Sequence, residues 1–500
     1  MDPETTHAMY RDTASQGNVL IALLALVLGV VVGGVVLANP TWVLVPAVVL
    51  LGLASFFYRH PLAGLVLVTA TVPILYRISF TDFGASLPDL DYTRTVVFGL
   101  FAVVVLRTLQ KGKTPSIDRY DVILFLWLGV GLMSLARARE IRSDAVEFLS
   151  IDVLPILLYV AARAILTTRA SLRVWFLSLS ISGVLISAIL LLEFALRTHL
   201  FVAVPAYDVV FRSHGPFGEP NQAGMYLALC LGPAVFMLLE EQRSDRRLWL
   251  RLLVVVIVAG LVVTFSRRGW VAALIVVGIL FSTRTRRRWM YALGGAGLLL
   301  LVVAAPRIEE SSFVQGRLLA EGSLRSRRAF FEASMRMASD GALFGLGYNA
   351  PRHVYSRYGI PENVWVPKTE ARGWKTGGWS PHNTFMTALI EGGIVRLACL
   401  LLILFGLLPR LRAAVRQSEA EPVHSTFARN LHLLFIGMVL SLTVAGLVGD
   451  VLRNTIVLST FLVLAAAVTN RVQEPEDQEA SLVSGGRHSS VTPRLSPSSA

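Results

Sequence analysis

A histidine and an amide stand side by side where a long apolar run begins, in Gly378-Trp379-Ser380-Pro381-His382-Asn383-Thr384. An imidazole titrates near neutrality and can take a proton from a hydroxyl, so His382 is the first candidate catalytic residue. Glu391, in Leu389-Ile390-Glu391-Gly392-Gly393, is the second. A carboxylate inside an apolar run is costly unless it is paired. Its expected partners are arginines, Arg396 of the same run among them, or His382.

Several cations could meet the ligand on which such a base acts. Arg267 and Arg268 fill the tight turn Thr264-Phe265-Ser266-Arg267-Arg268-Gly269. A guanidinium offers forked donors that match phosphate oxygens, although arginines at a membrane rim also snorkel to headgroups. Arg212 lies in a segment of turn formers, Phe211 to Gln222, that brings Glu219 and Asn221 to the entry of the next apolar run. Asn221 suits a ligand or a helix N-cap equally. Arg327 and Arg328 close Ser323-Leu324-Arg325-Ser326-Arg327-Arg328, just before an amphipathic stretch over 329–337 that can lie on a membrane surface. Asn383, beside His382, completes the set of possible ligand contacts.

There is no Cys/His zinc spacing, no P-loop and no DxD-like pair on the face that carries these residues, so no metal and no cofactor are expected. Cations without a metal suit a diphosphate leaving group whose developing charge must be neutralised. The residues by themselves point to the handling of a lipid-linked phosphate, or another anion, at one face of a membrane.

The elements that must hold these residues are membrane helices. Of 500 residues 54% are hydrophobic and only 16% charged, and apolar runs of spanning length recur along most of the chain. The expected fold is an all-α polytopic membrane protein with about 12–14 transmembrane helices. Solidly apolar runs exclude a β-barrel, whose strands alternate. The net charge of +13 does not indicate nucleic acid, because the basic residues sit in short clusters between spans, as the positive-inside rule requires. Cys230 and Cys399 fall within spans and form no disulfide pattern.

Fourteen spans place Lys111, Lys113 and Arg119, then Arg243, Arg246 and Arg247, then Arg284 to Arg288, then Arg410, Arg412 and Arg416 on one side, the cytoplasmic one. Arg137, Arg139 and Arg142 dissent. The turn with Arg267, the segment with Arg212 and the long polar loop 306–380 then share the external face. The expected organisation is a cytoplasmic segment 1–16, N-terminal transmembrane helices in 17–210, a catalytic region 211–470 that includes loop 306–380, and a disordered cytoplasmic tail 471–500.

Taken in order, Arg212…Gly215…Pro220-Asn221, Ser266-Arg267-Arg268-Gly269-Trp270, Phe330-Phe331…Gly345-Leu346-Gly347 and His382-Asn383…Glu391-Gly392-Gly393 resemble the O-antigen ligase/polymerase superfamily. The resemblance covers about 211–408. It implies a GT-C-like fold in the bacterial inner membrane. It also implies an inverting glycosyltransferase, independent of metal and ATP, with its site facing the periplasm. The donor would be an undecaprenyl-diphosphate-linked glycan, and the acceptor lipid A–core or another lipid-linked glycan. It implies diphosphate contacts from Arg267 and from Arg327 or Arg328, helped by Arg212, and acceptor activation by His382. Arg396 stands where the ligase pattern continues to glycine, which leaves a polymerase open. A transporter or flippase for an anionic or lipid-linked substrate is the competing reading, and an envelope scaffold is a third.

Overall fold

The computed structural model describes residues 51–76, 78, 91–112, 117–201, 211–282, 321–359, 381–418 and 425–470. The terminal segments 1–16 and 471–500, part of the N-terminal helical region 17–210, the Arg284 to Arg288 cluster and much of loop 306–380 lie outside them. Every described element is helical. In chain order these are α1 (Pro61–Leu75), α2 (Tyr92–Gln110), α3 (Arg119–Leu135), α4 (Ile141–Phe148), which runs through a π-turn (Leu149–Val153) into α5 (Leu154–Ile165), and α6 (Arg169–Leu196). After a 3₁₀ turn (Gly215–Phe217) come α7 (Pro220–Glu240), α8 (Ser244–Val263) and α9 (Arg267–Leu280). The loop region carries α10 (Glu321–Asp340) and α11 (Ala350–Val354), and the chain closes with α12 (Thr384–Phe405), α13 (Leu408–Ser418), α14 (Ser425–Leu447) and α15 (Thr455–Thr469). Among the described residues, six helical segments are long and apolar enough to cross a membrane.

Local sequence sets where these helices start. Asp118 and Asp121 form a reciprocal capping box on α3, and Thr168 and Ser171 form one on α6. Ser266, Asn383 and Asn454 cap α9, α12 and α15 with side-chain oxygens. Outward apolar side chains such as Phe125, Leu132, Ile181, Val255 and Leu274 remain exposed, as hydrocarbon-facing surfaces do.

Small residues let the helices that carry the site approach closely. A Cβ on Gly269 of α9 would lie 2.7 Å from the Gly224 backbone of α7, so the two helices touch near their first turns. Arg268 is thereby brought beside Asn221.

The long loop and the helix that follows it form one unit. Helix α12 breaks at Gly392 and Gly393, whose backbones are non-helical. A break frees backbone groups that hydrocarbon cannot satisfy. Leu346 N–H donates to Ile390 O at 2.7 Å, Gly347 N–H to Glu391 O at 3.3 Å, and Ile394 N–H to Ala342 O at 2.9 Å. Gly345 and Gly393 both have positive φ and lie against backbone, so neither tolerates a side chain. The Gly-Leu-Gly and Glu-Gly-Gly motifs are the two halves of this single contact. Above it, α10 buries Phe330, Ala333 and Met337 together with Ile390 and Tyr355, and leaves Phe331 and Met335 exposed on its other side. The amphipathic stretch expected over 329–337 therefore lies within a longer helix docked on α12.

The dissenting arginines hold this loop. Arg137 donates to Phe344 O and Arg139 to His353 O.

Candidate active site

Four helices begin at one cavity of about 310 Å³. Glu219, Asn221 and Gln222 come from the start of α7, Arg268 from α9, His382 from the residue before the α12 cap, and Asn454 from the cap of α15. A helix N-terminus carries partial positive charge and unpaired N–H groups. Four directed at one space make it electropositive before any side chain is counted. Arg268, Arg352 and Arg453 add three guanidiniums to its lining, and Glu147, Glu219 and Asp450 three carboxylates.

The residues singled out by sequence take different places around this cavity. His382 lines it, with positive φ, and meets the Phe330 ring edge-on at 6.1 Å. Arg268 lines it as well, 3.6 Å from Glu219 and tight against Gly449. Arg267, the arginine expected at the diphosphate, is exposed on the first turn of α9 and is not among the cavity residues. The helix register is the reason. Adjacent residues on a helix point about 100° apart, and Gly269 against Gly224 turns Arg268 inward.

Arg212 is a staple instead of a cavity residue. It donates to Thr264 O at 3.2 Å and to Phe265 O and Asn221 Oδ1 at 3.4 Å, joining its own segment to the α8–α9 turn. Asn221 also accepts from Ser266 Oγ and donates to Glu219 Oε1. It lines the cavity at the second position of α7, and Glu219 takes the N-cap position. Asn383 caps α12, accepting from Phe385 and Met386 N–H, and its amide donates to Leu447 O. Arg328 is 84% exposed and pairs with Glu332 one turn on, away from the cavity. Arg327 lies in α10, but its side chain is outside the described set.

Glu391 sits beneath the cavity, buried, in an ion network that the sequence only partly announces. Its Oε1 accepts from Arg453 at 2.5 Å and from Asn349 N–H at 3.1 Å, and its Oε2 lies 3.7 Å from Arg396. Of the expected partners, the structure therefore pairs it with arginines. Arg453 also donates to Glu147 at 2.7 Å and to Asn349 Oδ1. Burial opposes the Arg453 charge, and Glu391 and Glu147 more than restore it.

Arg396, standing where the resemblance expects glycine, donates to Asp152 at 3.0 Å and stacks over Trp127. Asp152 sits in the π-turn and accepts further bonds from Trp127 Nε1 and Tyr348 OH. Burial, with Asp152 nearby, pushes the Tyr348 phenol well above its ordinary value, so it remains a donor. The space within this network is about 30 Å³, room for a water at most.

Sequence reasoning missed Arg453, Asp450, Asn349 and Arg352. One signal was available: Asp450, Arg453 and Asn454 interrupt the last two apolar runs. The last described helix starts at Thr455, and Asp450, Val451, Arg453 and Asn454 before it line the cavity, Asn454 also as its cap. Glu147, close after the dissenting arginines in sequence, was not singled out either.

Among the described residues, Glu193, His199 and His214 bring possible metal-ligating atoms within 4.8 Å of one another, a grouping that spacing did not suggest. The Glu193 carboxylate already accepts N–H bonds from Leu200, His214 and Gly215, and the two rings stack at 19°. That geometry is a clasp for the segment that carries Arg212.

Fold and site together define a polytopic helical membrane protein with an anion-suited cavity at one end of its bundle. The sequence model of the O-antigen ligase family matches residues 252–401, from within α8 to late in α12. No curated protein matches the chain.

Proposed function

We propose that the protein is a membrane glycosyltransferase that moves a glycan from an undecaprenyl-diphosphate-linked donor to an acceptor hydroxyl, as an O-antigen ligase or a polysaccharide polymerase. The observation that carries this reading is the convergence of four helix N-termini and Arg268, Arg352 and Arg453 on one cavity with His382 in its wall. A diphosphate matches that field, and an imidazole beside it suits an acceptor hydroxyl.

In this mechanism the polyprenyl chain lies against the apolar flank of the bundle. The diphosphate occupies the cavity, with Arg268 as principal cation and with Arg267, Arg327 and Arg328, named by the resemblance, as secondary candidates. His382 accepts the proton of the acceptor hydroxyl as its oxygen attacks C1 of the donor sugar. The C1–O bond to the diphosphate breaks on the opposite face, and its electron pair stays on the phosphate oxygen, where the guanidiniums stabilise it. The anomeric centre inverts. Glu391 acts through Arg453, which it holds at the cavity wall.

The cavity faces the periplasm in this reading. The turns holding Lys111, Arg243, Arg246, Arg247 and Arg410 fall at the opposite end of the bundle, since α7 and α12 run away from the cavity, and the positive-inside rule makes that end cytoplasmic. The dense ion and hydrogen-bond network around Asp152 and Glu391 speaks for a fixed scaffold, where a transporter would need a path.

The test is to delete the gene and resolve surface glycans and lipid-linked intermediates by gel, with His382→Ala as a complementing variant. Polymer stranded on the polyprenyl lipid indicates a ligase, and single repeat units in place of polymer indicate a polymerase. Full restoration of the wild-type ladder by His382→Ala would overturn the site.

A further inference from the structure

The cavity lining balances Arg268, Arg352 and Arg453 against Glu147, Glu219 and Asp450. Three guanidiniums beside four helix N-termini would repel one another without an anion, so carboxylates are needed while no ligand is bound. The pairs are unequal. Arg453 is held at 2.5 Å by Glu391 and at 2.7 Å by Glu147, the lengths of strong charge-assisted bonds. Arg268 lies 3.6 Å from Glu219, too far for such a bond.

Glu219 is also oddly spent. It stands at the N-cap of α7, where a short side chain normally accepts a backbone N–H, yet its carboxylate makes no cap bond. It accepts from Asn221 Nδ2 at 3.0 Å and faces Arg268, with 45% of its side chain exposed. A carboxylate so placed can swing to water at the cost of one half-buried bond, that from Asn221.

We infer that Glu219 is a resident counterion: it holds Arg268 in the ligand-free cavity and yields it to an incoming phosphate. This rests on the anion reading of the cavity given above. Its consequence is selectivity. A ligand must displace a carboxylate before it gains Arg268, so a single phosphate group, as on a membrane phospholipid, recovers little more than it displaces. A diphosphate has a second phosphate to engage the helix N-termini. Glu219 thus excludes the bulk anionic lipid that surrounds the site, a repulsive element that confers specificity.

The experiment measures binding of inorganic pyrophosphate and of inorganic phosphate to the full chain in nanodiscs of uncharged lipid, for the wild type, Glu219→Gln, Glu219→Asp and Arg268→Gln. Glutamine keeps size and the Asn221 contact but removes the charge. Glu219→Gln is expected to bind phosphate about tenfold more tightly, the scale of one partly screened like-charge contact, and to narrow the preference for pyrophosphate. Glu219→Asp, which keeps the charge, is expected to show no such gain. Unchanged or weaker phosphate binding by Glu219→Gln, with Arg268→Gln still impaired, overturns the counterion inference and leaves the anion reading intact. Unchanged binding of both anions by Arg268→Gln overturns the anion reading itself.

Discussion

Arg453, in the turn before the last helix, donates to Glu391 Oε1 at 2.5 Å across 62 residues of sequence. The contact ties the α14–α15 turn to the broken helix α12 directly beneath the cavity. Glu391 is buried and Arg453 half-buried, and each keeps a second opposite charge, Arg396 at 3.7 Å and Glu147 at 2.7 Å.

Arg453→Met leaves Glu391 with Arg396 at 3.7 Å and the Asn349 N–H, and is expected to destabilise the protein by roughly 1–3 kcal/mol, the cost of taking a strong donor from a buried acceptor. The double variant Arg453→Met/Glu391→Leu should regain much of that stability while remaining poor in transfer. Thermal unfolding in detergent, alongside glycan transfer, measures both. A double variant no more stable than Arg453→Met would show that the pairing matters little.

The contact between loop and helix break gives a sharper structural prediction. Gly393→Ala places a Cβ about 2.1 Å from Leu343 O, and Gly345→Ala one about 2.3 Å from Glu391 C and O, both at positive φ. Both variants should lose monodisperse folded protein on size-exclusion chromatography. Gly278→Ala, where nothing lies within 4 Å, should behave as wild type.

The two adjacent arginines should separate functionally. Arg268→Ala is expected to cut transfer by roughly 100-fold or more, the scale of losing one preorganised charge donor. Arg267→Ala, whose side chain is exposed, should cost far less. Transfer assays on membranes from the two variants decide it, and the reverse order would move the diphosphate out of the cavity described here.

His382→Ala should lower transfer by roughly 10²–10⁴, the range for a general base. Phe330→Ala, which removes the ring edge against the imidazole, should reduce transfer less and mainly by letting His382 wander. Binding of pyrophosphate should survive His382→Ala, because the imidazole is assigned to the acceptor. A variant that lost pyrophosphate binding would reassign His382 to the donor.

The composition and the length of the apolar runs determined a polytopic helical protein, because hydrocarbon leaves a chain few other ways to satisfy its backbone. Short polar signals such as Ser266, Asn383 and Thr168 marked helix starts, since a cap is a local interaction between residues two or three apart. The clustering of His382, the Arg267-Arg268 turn and the Arg212 segment at one end was also legible, from the alternation of basic loops. What the tertiary structure alone decided was which of these residues face the cavity. Arg268 and not Arg267 turns inward because α9 meets α7 glycine on glycine. Glu147, Asn349, Asp450 and Arg453 join the site from segments up to 306 residues apart, and no local pattern encodes a partner at that distance. In sequence Glu391 could hold either an arginine or His382. In the fold it anchors an arginine, because a buried charge takes the nearest opposite charge that packing delivers.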